Sequence, residues 1–498
     1  MILLSISIKN FRSIEDVTFK IAKIDGTNTF TLIGINESGK SSFLRAVSLI
    51  DNNDEKVLFP KDFFDENKPI EIALNYQLDA SEKKELNSVL VEKGFGKEIA
   101  SQVKIETIAV CVTIDPVLNA QKNTFDRIIF QENIFSEYTL QDTKPVKKDP
   151  QLNQEDFDVQ KYFESYLPKY FWRISHNTIF WKSDSKHLIN EQINLDTFAN
   201  DPEATSIPLI NCFELAGIGR DSIPAQILSL KTSPAEVNNL QEKLGDKTTA
   251  HIKSVWPNHP VKIKFQIDNS LLSFLVEDEK VKYKSKTTDQ RSDGFRQLIS
   301  FLLTISAENA IGQLSNSLLL LDEPETHLHP QAQEYLREEL IRITRNNENN
   351  IVFFATHSNY LIDKEHIERC FRVSKQLNRK TKLEKIELGK TSYSEVNYEV
   401  FSIPSTDYHN ELYGYLEDEE KSKLDSLPKT KNWFNTKKNS TESVSLATYI
   451  RHSIHHPENT RNPKFTADEL QGSITILREL KYGKADKTVA KTSKNNSL

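Results

Sequence analysis

Residues 34–41 read GINESGKS and fit the pattern Gly-x-x-x-x-Gly-Lys-Ser/Thr. They follow a strand-like run over 29–33 and open an apolar helical pattern over 42–49. Strand, glycine-bounded turn and helix in that order restrict the chain to α/β architectures with a phosphate-binding loop. The turn is what does the restricting. Its backbone N–H groups and the helix N-terminus converge on one point, where only an anion satisfies them. Gly34 and Gly39 allow the curve and a close approach of the backbone. Asn36, Glu37, Ser38 and Ser42 complete the loop and the helix entry. Lys40 is expected to reach the terminal phosphates of a nucleotide, and Ser41 to coordinate Mg²⁺. The chain has only 14 Gly in 498 residues, about half the usual share, so glycines concentrated in one loop need a reason.

A second run supplies the acids such a loop requires. Residues 318–330 read LLLLDEPETHLHP. A pure apolar run suits a parallel strand buried on both faces, and it delivers Asp322 to the carboxyl edge of the sheet, where nucleotides bind in α/β folds. Asp322 is expected to hold Mg²⁺ through water, and Glu323 to orient or deprotonate an attacking water. Two carboxylates directly after four leucines are costly unless a cation or polar site satisfies them. The competing reading is an acidic cap between strand and helix. A second buried strand over 351–355 leads into Ala-Thr-His-Ser, 355–358.

With both runs in hand, the sequence resembles the ATP-binding-cassette ATPases of the RecF, SMC and OLD type. That resemblance covers roughly 1–80 and 255–400 and implies further elements. RSDGFRQ, 291–297, looks like the signature loop, in which Ser292 and Gly294 would contact a γ-phosphate held by a second subunit. Asp322 follows Ser292 by 30 residues, a spacing typical of the family. His357 would be the switch histidine that senses the γ-phosphate. The Q-loop glutamine is not obvious; Gln77 is the best-placed candidate, as an additional metal-site residue. KNFRSI, 9–14, resembles the family's opening, and Arg12 either approaches the phosphates or is a surface turn residue. A signature loop working in trans implies a homodimer or higher homo-oligomer that clamps ATP between subunits.

The expected fold class is α/β, an ABC-type P-loop ATPase head with an inserted, mainly helical lobe and a small helical C-terminal module. The expected divisions are 1–80 and 255–400 for the head, 81–254 for the lobe, and 401–498 for a partner-docking module with a basic tail. No long heptad run supports a coiled-coil arm in the lobe. Charge argues against a general nucleic-acid binder, since 64 basic against 71 acidic residues leave −7. Any DNA or RNA contact therefore needs a local basic patch. Three separated cysteines exclude a disulfide framework and fit a reducing cytosol. No apolar run is long enough to cross a membrane, and the first residues alternate like a strand rather than a signal peptide. A cytoplasmic location is expected.

OLD nucleases carry a Toprim domain after this ATPase, which needs acids borne on apolar strands. Beyond residue 400 the run LEDEE, 416–420, has no such strand to carry its acids, so no intrinsic nuclease is expected. An OLD-like ATPase without its own Toprim resembles the ATPase subunits of bacterial anti-phage systems, first the Septu type with an HNH partner nuclease, then the PARIS type with a Toprim effector. RecF-like DNA repair or chromosome maintenance is the alternative. Three histidines cluster at 452–456. Arg451 and His456 fit the R-x4-H of HEPN ribonucleases, and with His455 they define a possible RNase, metal or partner site; a polar helix end is the plainer reading. KTKNWFNTKK, 429–438, mixes cations with aromatics in the manner of backbone-tracking nucleic-acid contacts, or of a solvated linker.

Overall fold

The computed structural model describes residues 1–50, 58–102, 107–117, 121–126, 134–231, 233–255, 261–278, 285–287, 293–310, 315–345, 349–376, 378–386, 392–401 and 403–483. The chain forms two compact units: Met1–Asp363 with Glu368–Ile386, and Lys364–Ile367 with Glu387–Leu498.

The first unit is organised by a six-stranded sheet in the order Asn177–Lys182, Ser317–Asp322, Ile351–Thr356, Thr29–Ile33, Cys370–Lys375, Thr381–Lys385. The first five strands run parallel and the last is antiparallel. Its central strands, Ser317–Asp322, Ile351–Thr356 and Thr29–Ile33, are buried at every position but Asp322 and mostly apolar, because both faces are covered. Leu318, Leu320, Ile351 and Phe353 point into one core; Leu319, Leu321, Val352 and Phe354 point into another. All eight are at most 1% exposed.

One face carries the helix Lys40–Ser48 and a five-stranded antiparallel sheet in the order Ile14–Lys20, Ile2–Phe11, Ile70–Gln77, Thr107–Ile114, Gln121–Asp126. An aromatic knot joins these layers. Phe19 of the antiparallel sheet lies 5.2 Å from Phe30 and 4.9 Å from Phe353 of the central sheet, and Phe43 of the helix lies 5.6 Å from Phe353. Tilted and edge-on pairs of this kind add about 0.5–1.5 kcal/mol each beyond their burial. The other face carries the helices Ile207–Leu215, Pro234–Val255, Asp293–Ala310 and Pro330–Arg345, with a four-stranded sheet that includes Val261–Asp268 and Leu271–Asp278.

The stretch 81–254 is thus not a lobe apart. Thr107–Ile114 and Gln121–Asp126 extend the antiparallel sheet, and Asn177–Lys182 pairs with the full length of Ser317–Asp322, Lys182 opposite Asp322. Its second half is helical, as expected.

The second unit is mainly helical, with the hairpin Lys431–Asn435 and Ser440–Val444 added to the expected helices. Ser405, Ser445 and Thr466 each cap a helix by accepting from a backbone N–H three residues on. Tyr408, Leu412, Leu416, Ile450, Ile474 and Leu477 form its core. The hairpin places Trp433 in a buried position against Tyr449, so 431–435 is an ordered strand and not a linker. The acids near 417–420 lie at the C-terminal end of the helix Thr406–Glu419. No helix among the described residues is long and apolar enough to cross a membrane. The tail beyond residue 483 lies outside the described residues.

Behind the central sheet, His176 is 2% exposed. Its Nδ1 lies 3.2 Å from the Tyr76 hydroxyl and its Nε2 2.9 Å from the Asn349 carbonyl. Burial depresses its pKa to about 4, so the folded chain keeps the ring neutral. The stability this lends is present above the unfolded value near 6.5 and is lost as pH falls toward 4. Moving from pH 7 to pH 5 should cost roughly 2 kcal/mol through this one residue. Urea unfolding of wild type and His176→Gln at both pH values checks this; the variant should lose correspondingly less.

Candidate nucleotide site

The loop 34–39 leaves the strand Thr29–Ile33 at the carboxyl edge of the sheet and enters the helix at Lys40. Gly39 caps that helix at φ 111°, a conformation side chains rarely adopt. A Cβ there would stand 2.5 Å from Thr381 Oγ1. At Gly34 a Cβ would collide with the carbonyl oxygen of Val373. Both glycines are therefore demanded by the neighbouring hairpin 370–385 as well as by the curve itself.

Lys40 is 4% exposed and donates to the carbonyls of Gly34 (2.9 Å) and Ile35 (3.2 Å). Burial lowers its pKa to about 8, partly opposed by Glu323, Asp322 and Glu325. Ser41 Oγ donates to Asp322 Oδ1 at 2.9 Å. Burial raises the Asp322 carboxyl above its ordinary value, and the Ser41 bond pulls the other way. A desolvated carboxylate beside a helix-borne hydroxyl is a donor set suited to a hard divalent cation. Both residues fit Mg²⁺.

Glu323 stands at φ 50° with its N–H bonded to the Ala355 carbonyl at 3.0 Å. Its carboxylate lies 3.4 Å from His357 Nε2. Burial, then the Lys40 charge, lowers the His357 pKa, which favours the neutral ring. The helix Asp293–Ala310 reaches the same loop through Gln297, whose Nε2 donates to the Glu323 and Pro324 carbonyls at 3.4 and 3.3 Å. These groups border a cleft of about 680 Å³, lined by residues 36–42, Glu323, His357, Ser13 and Lys375.

The structure thus gathers Asn36, Glu37, Ser38, Gly39, Lys40, Ser41, Ser42, Asp322, Glu323 and His357 in one place, with Gly34 at the base of the loop. Gly294 lies in the first turn of the helix Asp293–Ala310, and Ser292 lies outside the described residues. One expectation is corrected. Gln77 is exposed at the end of Ile70–Gln77 that pairs with Ile2, whereas the cleft lies beyond the opposite end of the Ile2–Phe11 strand, at Ser13. The outer neighbour of Ser317–Asp322 in the sheet is Asn177–Lys182, and the strand of Gln77 belongs to the other sheet. Arg12 is engaged by Asp62, Nε to Oδ1 at 2.8 Å, and stacks on Phe11 at 5.1 Å; its neighbour Ser13 lines the cleft.

Lys375, Ser13 and Glu325 were not read from the sequence. Lys375 ends a strand as many surface lysines do, so nothing local distinguishes it. Glu325 was hidden behind the two acids before it, although a third carboxylate in four residues was the available signal. In the second unit, Arg451 stacks on Tyr413 at 5.3 Å while His456 bonds Glu458 at 3.3 Å and faces Trp433 at 6.4 Å. His455 is exposed. Arg451 and His456 are drawn to different partners, and the described residues contain no cluster of three or more candidate metal ligands.

A family model for the AAA ATPase domain, AAA_15, matches residues 1–362. The chain belongs to the AAA_15 family. Over 115 residues this AAA_15 chain is 34% identical to the Old nuclease of Escherichia phage P2, covering 22% of the chain and 19% of that protein. It is 26% identical over 139 residues to an uncharacterized protein of Methanocaldococcus jannaschii, covering 27% and 35%. The chain therefore spans about a fifth and a third of these curated relatives. Solved structures with a similar backbone include an Smc head bound to the C-winged helix domain of ScpA (11% identity, 78% of this chain, 98% of that one, TM-score 0.41). Another is the SMC head domain from Thermotoga maritima (11%, 78%, 100%, TM-score 0.36). The AAA_15 match and the Old nuclease relative bear out the RecF, SMC and OLD resemblance.

Glu325 gives this AAA_15 site a measurable pH signature. Burial raises its carboxyl from an ordinary 4.5 to about 7, so the folded chain holds that proton more tightly than the unfolded one. The contribution is complete below 4.5 and is lost as pH rises through 7. Glu325→Gln cannot ionise, so its stability relative to wild type should improve by roughly 2 kcal/mol between about pH 5 and pH 8 in urea titrations.

Proposed function

We propose that this chain binds and hydrolyses ATP with Mg²⁺, that hydrolysis requires two copies of it, and that the cycle gates a separately encoded nuclease in an anti-phage complex. The observation that carries the hydrolytic part is the 2.9 Å bond between Ser41 and Asp322, residues from distant parts of the chain, with Glu323 and His357 beside it.

The loop amides and Lys40 bind the triphosphate; to do so the Lys40 ammonium turns from the Gly34 and Ile35 carbonyls to phosphate oxygens. Ser41 and Asp322 hold Mg²⁺, which when bound neutralises charge on the phosphate oxygens. Glu323 orients the attacking water and accepts its proton. His357, beside Glu323 at the rim of the cleft, would donate to the γ-phosphate. Nothing more is required of the residues than position and charge.

The need for a second copy rests on the resemblance of 291–297 to a signature loop. Ser292 and Gly294 of one copy would close over ATP held by the other. ATP then favours the closed pair, and Glu323 sets its lifetime. The second unit is the proposed docking part. Lys429 before its hairpin, Lys437 in the hairpin turn, and Arg461 and Lys464 in the loop after the helix Leu446–His455 are all exposed, with Arg461 stacked on Phe434 at 4.7 Å. Such a surface suits an acidic partner or the phosphate backbone of the nucleic acid on which the complex acts.

Glu323→Gln should bind ATP normally, turn it over at least 100-fold more slowly, and accumulate as an ATP-dependent dimer or larger species in size-exclusion chromatography with light scattering. Unchanged turnover would show that another group is the base. For the partner, a tagged chain expressed with its neighbouring genes should co-purify with a small nuclease, HNH type first and Toprim second. A neighbourhood that encodes no nuclease, with nothing co-eluting, would leave the repair reading in its place.

A further inference from the structure

We infer that Glu325 is a positioning residue: its carboxylate fixes the loop that carries His357 to the loop that carries Glu323, and thereby sets how the site distinguishes a nucleoside triphosphate from a diphosphate. Glu325 Oε1 accepts from Thr356 Oγ1 at 2.5 Å and from the His357 backbone N–H at 3.1 Å. The Thr356 hydroxyl oxygen in turn accepts from the Ser358 N–H at 2.9 Å, and the Ser358 hydroxyl bonds Gln333 of the helix Pro330–Arg345. His357 is therefore held on both sides along the chain, and the holder on one side is a single carboxylate three residues after Asp322.

A strand end needing only an acceptor would be served by an uncharged side chain. Here the acceptor is a carboxyl that is 6% exposed, and its second oxygen has no hydrogen-bond partner among the described residues. Burying an acid with one oxygen unmatched destabilises the fold, and such costs concentrate where a site needs them. Glu323, by contrast, keeps its carboxylate free for His357 Nε2. Two neighbouring acids thus divide the work: Glu325 grips the backbone of His357, and Glu323 meets its ring. Loosening the first lets the ring drift from the γ-phosphate, while the hydrogen bonds of Glu325 go to Thr356 and His357 and not to the loop 34–41 that binds the α- and β-phosphates.

This inference rests on the nucleotide reading, and the test separates the two. Equilibrium binding of ATPγS and of ADP is measured, with Mg²⁺, for wild type, Glu325→Ala and Glu325→Gln. The alanine variant should lose at least fivefold in its preference for ATPγS over ADP while its ADP affinity stays within about twofold; the glutamine variant, which keeps an acceptor for Thr356 and His357, should recover most of the preference. An alanine variant with the wild-type ratio overturns the inference. So does a variant that loses both nucleotides equally, which would make Glu325 a general structural residue. A wild-type chain that binds neither nucleotide overturns the nucleotide reading itself, and this inference with it.

Discussion

A serine hydroxyl 2.9 Å from an aspartate oxygen connects residues 281 positions apart in the chain, and the rest of the first unit is arranged so that this contact can form. Ser41 is placed by a helix whose entry depends on Gly39; Asp322 is placed by a strand that must end in register with Ala355 and Lys182 on its two sides. Slipping that strand by one residue would exchange leucines between two apolar cores at little cost, but it would displace Ser317 and move the acid away from Ser41. The aromatic knot of Phe19, Phe30, Phe43 and Phe353 then fixes helix to sheet behind the loop.

What the sequence revealed follows from which residues carry their information locally. GINESGKS, the four leucines before Asp322 and the run before His357 each combine a strand signal with a chemical one, and each is where expected. Gln77 failed because the choice depended on which strand neighbours Ser317–Asp322, a long-range fact. The neighbour, Asn177–Lys182, carries partly buried residues and a polar start and end, so its pattern does not announce a core strand. Arg12 takes the second of its two readings, an exposed turn residue, and the choice could not be made locally because its partner Asp62 lies 50 residues away. Ser13 and Lys375 enter the cleft only because the hairpin 370–385 folds against the loop, which shows in the bond between the Ser13 and Thr381 hydroxyls and not in either residue's surroundings in sequence.

The second unit was legible as helical but not as having a polar interior. Arg478, 8% exposed, pairs with Glu399 and donates to the Tyr408 hydroxyl, while Tyr482 donates to Glu395 at 2.6 Å. Burial lowers the pKa of His409 to about 4, and its Nε2 lies 2.9 Å from the Ser473 hydroxyl. Networks of this kind tolerate few partial substitutions, since each broken member leaves another buried and unmatched. The unit's composition looks like surface; its packing makes much of that polarity internal.

The strand Asn177–Lys182 also bears on how a protein of this design can change over time. Loops between the strands of a sheet can be lengthened, shortened or exchanged at small cost. A segment that gives one of its strands to the central sheet cannot. Removing 81–254 would leave Ser317–Asp322 as a bare apolar edge, open to pairing with any extended chain. The inserted region can diversify at its helices and its far turns, but it is bound to the rest of the first unit as a shared possession of the sheet. A shortened relative would have to supply a replacement strand before it could dispense with this one.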